Sequence, residues 1–189
     1  MCISKILEEI DSFQNLGDES KQLFFSSGKI HYLKKNEIIL TQGETCKSVF
    51  FLATGLMKNF QNNDGKIVNL GFILPNMFFT NLESLRTGDK SSYSFIAMQA
   101  SVVFEISRKK LISLYVMSRE IEVFGRDILE RIIISQERLA NIYRLNTPKE
   151  RYQFLLMEEP ELFQKISLSQ LASYLGVSRK TICRIRKGI

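Results

Sequence analysis

The stretch "SLSQLASYLGVSRKTICRIRK", Ser167 to Lys187, admits few folds, because two helix starts and one helix stop sit at fixed intervals within it. Ser167 with Gln170 three residues on is a capping-box pattern, in which the hydroxyl accepts from an early helix N–H while the amide reaches back. Leu168, Leu171, Ala172 and Leu175 then recur at helical spacing. Gly176 stands where a helix ends in the left-handed conformation that glycine takes cheaply, and Ser178 is placed to cap a second helix. In that helix Ile182 and Ile185 share a face with Ser178. At about 100° per residue, Lys180, Arg184 and Lys187 fall nearly opposite it. The pattern predicts a helix-turn-helix, with Ala172 allowing a close crossing, Gly176 the corner, and Val177, Ile182 and Ile185 buried. Such a unit lays its second helix in the DNA major groove, where cationic side chains reach phosphates and guanine edges. The other reading of these residues is a basic helical hairpin that contacts protein.

Charge distribution favours the first. From Leu162 onward the chain carries Lys165, Arg179, Lys180, Arg184, Arg186 and Lys187 and no acid. Residues 1–161 hold 20 Lys and Arg against 20 Asp and Glu, so the net charge of +6 lies wholly in the tail. A basic excess concentrated on one small element is the footprint of a polyanion partner.

With 189 residues and 44% hydrophobic content, the chain can bury a large core and a smaller one. No run of 18 apolar residues occurs, and the opening "MCISKILEEIDSF" has acids where a secretory signal needs an apolar stretch. No membrane span is expected, and the cytoplasm is the expected location. Cys2, Cys46 and Cys183 are odd in number and far apart, which suits neither a disulfide framework nor a metal site. Cys183, beside Arg179 and Arg184, is weighed as a redox position against a small half-buried residue.

Residues 3–25 read as short helices, with Ile3, Ile6, Leu7 and Ile10 on one face. From about Lys29 to Ser107, short apolar or alternating runs are broken by turn signals, among them "EIILTQGE", "VFFLATG" and "YSFIAMQASVVFEI". Asp64-Gly65 is a strong hairpin signal, since both residues accept positive φ. Short strands at such spacing predict an antiparallel barrel, roll or sandwich. Ten of the fourteen Phe lie between Phe24 and Phe104 and suit its interior.

A helical zone follows from near Arg108. Ile121, Gly125, Ile128, Ile132, Ser135, Leu139 and Ile142 follow the alternating four-and-three spacing of a coiled-coil seam. A second stripe, Leu129, Ile133, Ala140 and Tyr143, is then left to pack on the protein's own body. The sharper reading is a helix pair between two copies; the plainer one is a single buried core helix. The chain is thus expected to be α+β: an antiparallel β-roll or jelly-roll domain over residues 1–115, a dimerisation helix over 116–146 and the helix-turn-helix over 147–189.

In this order of parts, and in the segments "ILTQGETCKSVFFLATGLMKNFQNNDGKIVNLGFILPNMFF" and "ISLSQLASYLGVSRKTICRIRKGI", the chain resembles the Crp/Fnr family of bacterial transcription regulators over nearly its whole length. The ending is especially similar to members from Bacteroidetes. The resemblance implies a cyclic-nucleotide-binding-like effector domain, a homodimer, and binding to pseudo-palindromic promoter DNA in contact with RNA polymerase. It matches Ser167 to a phosphate-contacting hydroxyl at a helix N-terminus, and Arg179 and Arg184 to recognition-helix arginines. Ser178, Thr181, Arg186 and Lys187 join them as candidate DNA contacts. Where the family frequently has an acidic residue that accepts from cytosine, this chain has Lys180, which has no acceptor. The usual base readout is therefore expected to be lost. Many relatives continue past the position of Ile189 into a β-hairpin wing, so wing contacts are not expected.

Cyclic-nucleotide binders of the family hold phosphate with an Arg-Ser pair and ribose with a Glu. The matching positions here are Ser91, Ser92 and Asn81, with Arg86 and Tyr93 in the same cassette. Without the guanidinium a cyclic phosphate loses its bidentate partner, so cyclic AMP or GMP is not expected, although Arg86 offers a substitute from another direction. Asn76, replacing a glycine common there, is tolerable if φ is positive. An iron–sulfur cluster lacks its cysteines and haem has only His31 or a cysteine to bind it, so neither cofactor nor metal is expected. An unknown small effector stays open. A recombinase with a similar tail needs a nucleophile beside a base or an arginine cluster, and the first 100 residues contain none. The chain is not expected to be an enzyme.

Overall fold

Turn residues set the ends of the strands. The computed structural model of the chain describes residues 16–144 and 147–188, without the side chains of Leu139 and Tyr143. Cys2 and the stripe Ile3, Ile6, Leu7 and Ile10 lie outside the described residues. Eight strands form between Lys29 and Ser107: β1 (Lys29–Leu33), β2 (Ile38–Leu40), β3 (Ser48–Thr54), β4 (Met57–Asn63), β5 (Lys66–Ile73), β6 (Met77–Phe79), β7 (Ser94–Ala97) and β8 (Ser101–Ser107). Asp64 (φ 51°) and Gly65 (φ 90°) close the β4–β5 hairpin as expected, the twist of this turn matching that of its strands. Asn76 does sit at positive φ, 67°.

The strands pair, all antiparallel, into two four-stranded sheets, β1-β8-β3-β6 and β2-β7-β4-β5. Side chains alternate across a strand, and β3 shows what each face meets. Phe50 and Leu52 enter the core between the sheets with Leu40, Met57, Phe79, Phe95 and Val103. Val49 and Phe51 point the other way, into a second core with Phe78, Phe104 and Ile106. A strand covered on both faces needs an unbroken apolar run, which is why "SVFFLAT" does not alternate.

Helices provide the outer cover of the first sheet. They are α1 (Asp18–Ser26), α2 (Leu82–Thr87), α3 (Arg108–Met117), α4 (Arg119–Arg144), α5 (Pro148–Glu158), α6 (Leu162–Lys165), α7 (Leu168–Tyr174) and α8 (Arg179–Lys187). Phe24 of α1 and Ile121, Phe124, Ile128 and Ile132 of α4 pack on Phe51, Phe78 and Phe104. Phe24 and Phe124 meet edge to face at 5.6 Å, one of the preferred aromatic geometries.

This packing corrects the expected dimer seam. Ile121, Gly125, Ile128, Ile132 and Ile142 are buried within the chain itself, and Ser135 is half-buried with its hydroxyl donating to the Ile132 carbonyl. Gly125 makes room for the ring of Tyr115 on α3: a Cβ there would lie 2.0 Å from the tyrosine hydroxyl oxygen. The stripe expected against the protein's body is the outward one, for Leu129, Ile133 and Ala140 are exposed, as are Val123 and Ile134. A four-and-three apolar spacing looks the same whether it meets a partner helix or a sheet.

The last core joins the C-terminal helices. Ile142 at the end of α4 packs with Tyr152, Leu155, Leu162, Leu171, Ala172, Leu175 and Ile182, and Leu56 and Phe72 of the sandwich join them. No described helix is long and apolar enough to cross a membrane. Truncating Ile128→Ala should cost about 2–5 kcal/mol of folding stability, read by urea denaturation.

Candidate nucleic-acid interface

Three helices near the C-terminus, α5, α7 and α8, start on a side-chain cap. Thr147 and Glu150 form a reciprocal capping box at α5, with Pro148 in its first turn. Ser167 and Gln170 do the same at α7: the Gln170 N–H donates to Ser167 Oγ at 3.3 Å, and the Ser167 N–H donates to Gln170 Oε1 at 2.9 Å. Ser178 caps α8 by accepting from the Thr181 N–H at 3.1 Å, and its hydroxyl also bonds the Thr181 hydroxyl at 2.9 Å. Between the two helices Gly176 turns the chain at φ 68°. Each such cap satisfies a backbone donor that a helix end otherwise leaves orphaned, and is worth about 1 kcal/mol.

Leu171, Ala172, Leu175 and Ile182 are buried where α7 and α8 cross, while Leu168, Val177 and Ile185 are half-buried around them. The opposite face of α8 carries Lys180, Arg184 and Lys187, which at spacings of four and three form one exposed stripe. Arg179 is exposed at the helix start. Among the described residues no carboxylate pairs with any of these four. Arg186 differs: its Nε donates to the Tyr152 hydroxyl at 3.1 Å, which ties α8 back to α5. Cys183 is half-buried and free.

The hairpin of the second sheet holds this helix pair. Asn69, buried on β5, donates its backbone N–H to Ser173 Oγ at 3.2 Å and its amide to the Gln170 carbonyl at 3.5 Å. Its own Oδ1 accepts from Lys58 Nζ at 2.9 Å, and burial pulls the Lys58 ammonium below the usual lysine range. Three residues along, Phe72 meets Tyr174 edge to face at 5.1 Å.

Of the five expected effector residues, Asn81, Ser91 and Tyr93 are joined by hydrogen bonds, and Arg86 and Ser92 stand apart. Asn81 caps α2 by accepting from the Ser84 N–H, and its amide donates to Ser91 Oγ at 2.8 Å. Ser91 in turn donates to the Tyr93 carbonyl at 2.6 Å. Asn81 and Ser91 are therefore buried and bonded to each other, whereas Arg86 and Ser92 are on the surface. Only Tyr93 lines a cavity, which lies between the sandwich, α4 and α5. Desolvation pushes the Tyr93 hydroxyl up to about 12, so it stays protonated. The cavity's other walls come from distant segments whose pattern in the chain carries no common signal. His31 sits on β1 with Nε2 at 2.6 Å from Glu105 Oε2, an ordinary partnered histidine. No group of three or more described His, Cys, Asp or Glu side chains is placed to hold a metal.

Comparison with known proteins follows this architecture. Residues 30–117, which span the sandwich and α3, match the family model described as "Cyclic nucleotide-binding domain". The chain is 26% identical over 167 residues to the transcriptional activator protein FnrA of Stutzerimonas stutzeri, covering 81% of this chain and 67% of that one. In fold, the chain is similar to a cyclic nucleotide-binding domain containing protein from Listeria monocytogenes EGD-e, with a TM-score of 0.69, 18% identity, and coverage of 98% of this chain and 89% of that one. It is also similar to the catabolite activator protein of Thermus thermophilus, with a TM-score of 0.57, 19% identity, and coverage of 94% and 85%.

Within this fold, α7 is bound to the β4–β5 hairpin by the Asn69 amide at the Gln170 carbonyl and by the Asn69 N–H at the Ser173 hydroxyl. Asn69→Ala should speed amide hydrogen exchange across Leu168–Tyr174 several-fold, leaving β3 and β8 protected as in the native chain, when exchange is followed by mass spectrometry.

Proposed function

We propose that the chain is a transcription regulator of the Crp/Fnr type that binds double-stranded promoter DNA as a homodimer, through a helix-turn-helix formed by α7 and α8. The observation that carries the reading is the unpaired stripe Lys180, Arg184 and Lys187 on the outer face of α8, opposite its buried Ile182. A helix with cations on one face and core on the other suits the major groove, where phosphates flank the base edges. Ser167 and Arg179 stand at the helix starts, where free N–H groups favour a phosphate. Ser178 and Thr181 bond each other at the same end of α8 and add hydroxyls to that site. Arg186 is left out of the contact set, because its side chain is engaged by Tyr152.

Two copies pair, in this reading, along the exposed apolar side of α4, where Val123, Leu129, Ile133 and Ile134 have no cover from their own chain. A two-fold pair of recognition helices then reads half-sites about 34 Å apart, and the combination multiplies a weak single-helix affinity. Such a dimer regulates transcription from a pseudo-palindromic site beside RNA polymerase. In this reading the effector is not a cyclic nucleotide, which would lack its bidentate guanidinium here, Ser91 being bonded to Asn81 and Tyr93.

Arg184→Ala should weaken binding to the selected site by about 1–3 kcal/mol and flatten the preference over random DNA. Lys187→Ala should weaken all sequences alike and reduce the slope of log affinity against log salt by about 1. Fluorescence anisotropy over a salt series checks both, and binding no better than to an acidic polymer at low salt would overturn the reading. Replacing Ile133 and Ile134 together with Glu should convert the dimer to a folded monomer in light scattering, with DNA affinity lowered at least ten-fold.

A further inference from the structure

The cavity beside Tyr93 has a volume of about 150 Å³, close to that of an engineered apolar cavity that admits benzene. Its walls come from parts of the chain that are otherwise separate: Phe95 and Phe72 from the sandwich, Ser135 from α4, and Tyr174 from α7. Flat apolar rings on several sides favour a flat apolar occupant. Several polar side chains on this wall, Gln136, Arg138 and Glu158 among them, have no bonded partner among the described residues. The Asn59 amide on β4 bonds no described residue, and neither does the carboxyl of Glu159, which follows the last residue of α5 and lies half-buried.

Charge sets the sign of what this wall accepts. Glu158 and Glu159 line the cavity together with one cation, Arg138, so its rim carries one negative charge in excess. Burial raises the Glu159 carboxyl above the usual range, the nearby Arg138 only partly opposing it. A buried carboxyl without a bonded partner gains most from an ammonium donor, because a charge-assisted hydrogen bond replaces lost hydration. An anion meets the two glutamates and is repelled. Cations are further favoured over the faces of Tyr and Phe rings.

We infer that this cavity binds a small aromatic amine, with its ring among Phe72, Phe95 and Tyr174 and its ammonium at Glu159. The inference rests on the reading of the chain as an effector-controlled regulator and names the chemistry of the effector. Such a molecule touches the sandwich, α4 and the C-terminal helices at once. It therefore favours the arrangement in which α7 is held on β5, by its differential affinity for that state.

Benzylamine is a suitable probe, phenylacetate its anionic counterpart and benzyl alcohol its neutral one. Titrated calorimetrically into the full chain, benzylamine should bind at least ten-fold tighter than either counterpart. Its affinity should rise with pH as Glu159 ionises. Glu159→Gln should lose at least ten-fold toward benzylamine while binding benzyl alcohol as before, and its retained thermal midpoint without ligand verifies the fold. Tyr93 and Tyr174 ring resonances should shift on benzylamine addition in the native chain, a readout that needs no variant. Equal binding of phenylacetate, an unaffected Glu159→Gln, or unmoved tyrosine resonances would overturn the site. DNA binding measured without any amine is independent of these outcomes. Its loss would sink the regulator reading, whereas intact DNA binding with no amine binding sinks only the effector chemistry.

Discussion

The contact on which the rest of the molecule depends is the seating of α4 on the outer face of the first sheet. Ile121, Phe124, Ile128 and Ile132 close over Phe51, Phe78 and Phe104, and this burial gives β3 its second apolar face. Each such side chain contributes about 1.5–3 kcal/mol on leaving water. The sandwich alone would expose a row of phenylalanines; the helix alone would expose a row of isoleucines. Because α4 is 26 residues long, it covers the sheet with its first half and reaches the C-terminal core with Ile142. One helix thus fixes both the effector-type domain and the start of the cationic tail.

The tail is fixed a second time, by the β4–β5 hairpin. Asn69 is a buried polar residue whose hydrogen bonds are all made, to Lys58 on one side and to α7 on the other. Buried amides are costly when unpaired and geometrically selective when paired. Phe72 supplies area and Asn69 supplies register, so α7 has one preferred seat on β5. Holding α7 also holds α8, since Ala172 and Ile182 share one core. Docking on the hairpin leaves the stripe of Lys180, Arg184 and Lys187 facing solvent.

Local signals in the sequence were legible where a short interval carries the whole mechanism. Ser167 with Gln170, Gly176 and Ser178 predict their own hydrogen bonds and backbone angles, because a cap or a helix stop depends only on neighbours three or four residues away. Asp64-Gly65 is of the same kind. That "VFFLATG" forms a strand was readable, but its burial on both faces and the helix that covers it were not. Ile128 and Ile133 show why. Both are isoleucines on one amphipathic helix, and only the position of the sheet decides that the first is buried and the second exposed. The cavity escaped the sequence for a related reason: Asn59, Tyr93, Ser135 and Glu159 are brought together by tertiary folding alone.

Arg186 shows how far composition carries. By charge it is one of six cations in the tail, and it is indistinguishable there from Arg184. In the fold it lies on the side of α8 toward α5, where its guanidinium reaches the hydroxyl of the buried Tyr152. Tyr152 in turn packs edge to face on Phe163 at 5.1 Å. An arginine spent in this way steadies the angle between α5 and α8, and so the direction in which Lys180, Arg184 and Lys187 point. Of the six cations of the tail, Lys165 is thus paired with Glu161, Arg186 aims the stripe, and the other four are left to face a polyanion.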